Sequence, residues 1–225
     1  MNKVTIDKDV FKKFNPKFKV IFLAVSDFDN KQKLAESKHL LTDTMQMIRL
    51  THNKEQLKNH YLIEPWALAQ AEFGKNAKHY HTSVERLLKT VLQGKTVSSN
   101  NTLTNLINHL SLKYTVPFGL DDADKIAGKI TFKVASGKEK VDALRKLLPN
   151  TLYYRDEKKI LGTKLDFWKN SKTALTPKST SALIHLDVLP PLTSKQANEI
   201  IKELKMLIDN FCGGKISMIS LSKQR

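Results

Sequence analysis

Asn101, Asn105 and Asn108 recur at helical spacing in the segment NNTLTNLINHL, with an apolar face of Leu103, Leu106, Ile107 and Leu110 opposite them. Asparagine disfavours helix interiors because its amide competes for backbone hydrogen bonds. Crowding three of them on one helix carries a cost that a function would offset. Further on, TVPFGLDDADK places Asp121, Asp122 and Asp124 behind Pro117 and Gly119, which read as a tight turn. Such carboxylates suit a cation or an amine, but the glycine and distal glutamate of an EF-hand loop are missing, and a capped loop is the simpler reading. In GKNAKHYH, His79 and His81 flank Tyr80. Two histidines without a third ligand make a poor metal site, whereas histidine and tyrosine among lysines suit stacking on unpaired bases. Ser179, Thr180, His185 and Asp187 are the residue types of a nucleophilic triad. Neighbours along one strand, however, do not easily form the required chain of hydrogen bonds. The chain carries no G-x-S-x-G elbow, phosphate-binding glycine loop or cysteine pair, so the common hydrolase, nucleotide and zinc readings lack their signatures.

These residues need elements to hold them. FKVIFLAV (18–25) is β-branched, aromatic and apolar throughout, the pattern of a buried strand. Residues 31–51 and about 63–73 read as helices, and residues 1–16 as a short polar arm or first turn. Thr82 stands three residues before Glu85, a capping-box spacing, and opens a helix that Gly94 ends; the asparagine-rich helix follows. Strands are expected at 130–135, 152–154, 159–161, 181–188 (SALIHLDV) and 215–221. A second capping box at Thr193 and Gln196 opens an amphipathic helix closed by Gly213. Strands interleaved with helices and no internal repeat predict one α+β domain.

The chain has 225 residues and a net charge of +16, mostly lysine. That length supports one good-sized core. Such a field attracts polyanions, although a lysine-rich soluble surface accounts for it equally well. Scarce arginine argues against sequence-specific base readout. No apolar run is long enough to span a bilayer, and a single cysteine, Cys212, excludes an internal disulfide. With no cationic and apolar leader at the N-terminus, a cytoplasmic protein is expected.

The run Ser83-Val84-Glu85-Arg86-Leu87-Leu88, then Asn101 through Asn108 to Ser111-Leu112, then Pro117, Gly119, Asp122, Asp124-Lys125-Ile126 and Gly128-Lys129-Ile130 resembles the B3/B4 domain. This is the editing module of the β subunit of phenylalanyl-tRNA synthetase, and it also occurs as freestanding proteins. The likeness continues through Leu165 to Asp187. It implies a sandwich of short strands flanked by helices, with residues 76–225 as the matching part and 1–75 as an N-terminal elaboration. It further implies a partner, tRNA or aminoacyl-tRNA, and freestanding hydrolysis of mischarged aminoacyl esters. A non-catalytic RNA-binding module and a pocket for a free amino acid or small metabolite are the alternatives.

An aminoacyl ester is already activated, so such a site need only hold it, orient a water and donate hydrogen bonds to the developing oxyanion. On that reading Asn108, Asn105 and Thr180 serve catalysis. Asn101, Gly119, Asp122, Glu139, Trp168 and Ser179 bind substrate, and Lys78, His79, Tyr80, Lys169 and Lys172 contact RNA, with no metal or cofactor. The synthetase modules carry a histidine in the turn where this chain has Gly119, and the freestanding relatives tend to carry glycine there. Asn105 stands where those freestanding relatives look acidic.

Overall fold

In the computed structural model, which describes residues 3–55, 57–66, 82–141, 146–163, 166 and 168–222, two strands apolar on both faces form the centre. β2 (Lys19–Ser26) pairs antiparallel with β8 (Ser181–Val188) along its whole length, from Lys19 opposite Val188 to Ser26 opposite Ser181. Continuous apolar runs of this kind are what a strand covered on both sides requires. β9 (Lys215–Leu221) adds to the free side of β2, and β3 (Phe118–Asp122) to that of β8. The sheet order is β3-β8-β2-β9.

The second sheet is built from β1 (Val4–Ile6), β4 (Ile130–Val134), β5 (Leu152–Arg155), β6 (Ile160–Thr163) and β7 (Trp168–Lys169), in the order β1-β4-β5-β6-β7. Val20, Phe22 and Leu183 from the first sheet meet Ile130, Phe132, Leu152, Tyr154 and Leu161 from the second. On the other face, Ile21, Leu23, Val25, Ala182, Ile184 and Leu186 pack under two helices, Thr102–Tyr114 and Ser194–Phe211. We number these α4 and α5. α1 (Lys8–Lys13), α2 (Leu34–Thr51) and α3 (Ser83–Leu92) are the remaining α-helices among those described. α2 and α3 join Leu112 of α4 in an outer apolar cluster. The layers run sheet, sheet, helices.

Three expectations change. Residues 1–16 are not an arm: β1 pairs in parallel with β4, and Asp7 caps α1 by accepting from the Asp9 amide. The first 75 residues supply β1 to one sheet and the central β2 to the other, so their strands are integral to both. Pro117 and Gly119 do not make a turn. The chain reverses at Thr115, in the left-handed region at φ 52°, and Gly119 lies inside β3 opposite His185. Of the helix expected at 63–73, residues 64–66 are helical and 67–73 lie outside the described residues. No helix among the described residues is long and apolar enough to cross a membrane.

Candidate functional site

Side chains alternate across a strand, so β8 turns Ala182, Ile184 and Leu186 to the helices and Leu183, His185 and Asp187 to the other sheet. That second set places an imidazole and a carboxylate in the layer between the sheets, both fully buried. There they meet Asp121 of β3, Tyr154 of β5, Asp166 of the β6–β7 connection and Lys169 of β7. Asp121 accepts from Thr173 Oγ1 at 2.6 Å, from Tyr154 Oη at 2.7 Å and from Lys169 Nζ at 2.7 Å. Asp166 Oδ1 lies 2.9 Å from Tyr154 Oη and 3.2 Å from Lys169 Nζ. Lys169 also donates to the Tyr154 hydroxyl and sits over that ring. His185 has Asp187 Oδ1 at 3.1 Å from Nδ1 and Asp166 Oδ2 at 3.1 Å from Nε2.

Burial disfavours the charged form of every group in this network, and the partners decide the outcome. Burial opposes ionisation of Asp166, but Lys169 and His185 outweigh it and hold the carboxyl at about 2. Burial likewise opposes the imidazolium of His185, but Asp166 and Asp187 prevail and push it up to about 10. For Asp187 burial wins over the pull of His185, so its carboxyl lies above the usual range. The Tyr154 phenol is pushed well up by burial and by the two facing carboxylates.

Above this network opens a cleft of about 320 Å³. It lies between α3, α4, β3 and the segment from Asp166 to Leu175. Leu87, Ile107, Phe118, Leu120, Ala174 and Leu175 form its apolar wall, and Ser83, Ser99, Asn101, Thr104, Asn108 and Ser171 its polar one. Asp166 and Lys169 reach it from the buried network, and Arg86 contributes from α3. Asn108 Nδ2 donates to the Val97 carbonyl at 2.9 Å, while its amide oxygen takes no hydrogen bond among the described residues. An apolar chamber with a few convergent polar groups is the usual form of a small-ligand site.

The B3/4 domain model matches residues 65–205 of this chain. The chain belongs to the B3/4 domain family. No curated protein matches its sequence. Among solved structures, it is similar to an N-terminal fragment of the phenylalanyl-tRNA synthetase β-subunit from Pyrococcus horikoshii, with a TM-score of 0.49 and 11% identity. The match covers 98% of this chain and 54% of that one, so this chain spans about half the length of the fragment.

The B3/4 domain brings some of the sequence-derived residues to the cleft and places others elsewhere. Asn101 and Asn108 line it, as does Lys169. Asn101 is also the cap of α4, accepting from the Thr104 amide at 3.0 Å. Asn105 does not line the cleft: its Oδ1 accepts from Ser99 N at 2.6 Å and its Nδ2 donates to Ser37 Oγ at 3.0 Å, fully buried. Thr180 is exposed outside the cleft. Ser179 donates to Asp122 Oδ2 at 2.6 Å, and Lys125 pairs with that same carboxylate oxygen at 2.9 Å, so both candidates brace the loop rather than face a ligand. This bond also removes Ser179 from any triad with His185. Glu139 closes its own turn by accepting from the amides of Ser136, Gly137 and Lys138.

Trp168 packs beside the small cluster of Ala135, Leu147, Tyr153 and Ile160. Gly119 sits beneath the His185 ring: a Cβ there would lie 1.8 Å from His185 Nε2 and 2.3 Å from Asp166 Oδ2. Lys169 is engaged by two carboxylates and a phenol, whereas Lys172 is exposed. Lys78, His79 and Tyr80 lie outside the described residues.

The sequence singled out neither Tyr154 nor Asp166, and it read Asp121 as part of a capped acidic loop rather than of a buried network. One signal was present: SALIHLDV sets His185 and Asp187 on alternate positions of a strand that is otherwise apolar on both faces. Buried polar groups require partners, so that pattern announced a network, though not its members.

Proposed function

We propose that this B3/4 domain recognises the aminoacylated end of a tRNA in the cleft between α3 and α4 and hydrolyses mischarged aminoacyl esters there. The observation that carries this reading is the cleft itself. Its volume of about 320 Å³ is of the size an aminoacyl group needs, and its polar wall is made of side-chain amides and hydroxyls rather than a strong nucleophile. Hydrolysis of an activated ester requires positioning and hydrogen-bond donation to the oxyanion, which such groups supply. Asn108 is the residue we assign to orienting water or substrate, with Asn101 and Thr104 beside it. The editing role of the synthetase modules that the sequence resembles supports the same assignment.

The test is deacylation of a panel of tRNAs charged with correct and incorrect amino acids. One class of ester is expected to be released well above its spontaneous rate. Asn108→Ala is expected to lower kcat/KM by about 10²-fold or more, the effect of losing one positioned polar group at such a site, while tRNA binding stays unchanged. Release of no ester, or a fully active Asn108→Ala, would overturn the assignment.

A further inference from the structure

The network behind the cleft contains three buried polar atoms without a hydrogen bond: Asp166 Oδ2, His185 Nε2 and Asp187 Oδ2. Buried polar atoms left in this way are rare and call for an explanation. All three residues line one small cavity between the sheets, of about 10 Å³, together with Thr163 and Gly162. That volume is roughly what a single water or ion occupies. The near contact of Asp166 Oδ2 with His185 Nε2, 3.1 Å long, is an ion pair by distance but not an aligned hydrogen bond. It does match the separation of two adjacent ligands around an ion held at about 2.1 Å.

Outer partners for one of these carboxylates are already in place: Tyr154 and Lys169 hold Asp166 by its other oxygen. This is how second-shell groups orient metal ligands.

We propose that Asp166, His185 and Asp187 form a site for one divalent transition-metal ion of the zinc class, bracing β8 against the β6–β7 connection. One ligand atom from each lies within 4.8 Å of the others. Small carboxylate rotations would close that to the spacing of about 4.2 Å or less found around a bound ion. An N,O,O donor set suits zinc, manganese or iron rather than magnesium or calcium. The cavity is too small for a substrate, so the ion's role is structural. The proposal is independent of ester hydrolysis and stands or falls separately.

The test is elemental analysis of the purified full chain, followed by titration of the EDTA-treated protein with Zn²⁺ and, in parallel, Co²⁺. One equivalent per chain is expected, with a thermal shift of about 5–10 °C at a hundredfold excess over the dissociation constant and visible cobalt bands of low coordination number. Asp166→Asn and His185→Gln are expected to lose both. Should either variant fail to fold, anomalous diffraction at the zinc edge on wild-type crystals decides: a peak between Asp166 and His185 supports the site. The proposal is overturned by a water in that cavity in zinc-soaked crystals, by no stoichiometric binding, or by equal binding to the folded variants, which would place the ion on other histidines.

Discussion

Gly119 shows how one residue is fixed by what stands across from it. The His185 ring is held by Phe22, Phe132 and Tyr154, with centroids 5.5, 5.4 and 4.8 Å away. It cannot withdraw from a methyl group placed 1.8 Å from Nε2. Close-packed interiors answer such an insertion with backbone shifts or off-rotamer side chains. Gly119→Ala is therefore expected to destabilise the domain by about 1–3 kcal/mol or more, read as a lowered urea midpoint with an unchanged slope. An unchanged midpoint would mean that the imidazole has another place to go. Position 119 has no room for a side chain, because the His185 imidazole of β8 already fills that space.

At the scale of elements, the helices were legible because their signals are local. Thr82 accepts from the Glu85 amide, and the Thr193–Gln196 capping box is present with both reciprocal bonds. Asn101 belongs to this class too, and its two roles can be separated. As the cap of α4 it satisfies a free amide of the first turn, so Asn101→Ala is expected to lose about 1 kcal/mol. Asn101→Asp, an equally good cap, is expected to keep that stability in thermal melts. A loss of deacylation in Asn101→Asp with stability intact would then report contact with substrate. Strands were legible as apolar runs, but not their partners. Asp121, Tyr154, Asp166, Lys169 and His185 come from four strands and a connection, and they meet only through sheet register and sheet-on-sheet packing. Lys169 therefore reads as one more surface lysine until β6–β7 pairing turns it towards Asp121 and Asp166. Gly119 and Pro117 read as a turn by propensity, and a close approach between elements overrode it.

Across the whole molecule, the net charge of +16 is the property that any polyanionic partner meets first. That figure already subtracts the acidic residues, some of which pair locally: Glu203 with Lys113, Asp122 with Lys125 and Asp156 with Lys159. Other cations stand near the cleft, with Arg86 lining it and Lys172 exposed in the segment between Ser171 and Ala174. If the partner is tRNA, these charges act on phosphates and release counterions on binding, so affinity must fall steeply with salt. Between 50 and 200 mM salt the loss is expected to exceed about tenfold, since even two neutralised phosphates produce that much. Lys172→Ala is expected to lower the slope of log affinity against log salt by about one unit, uniformly across tRNA sequences, because phosphate contacts carry no base information. A fluorescence anisotropy titration at several salt concentrations measures both. A flat salt response would remove RNA as the partner and leave the cleft to an uncharged or small free ligand. A steep response unaffected by Lys172→Ala would keep RNA but move its track away from the cleft mouth, and the hydrolytic assignment of Asn108 would then lose its substrate.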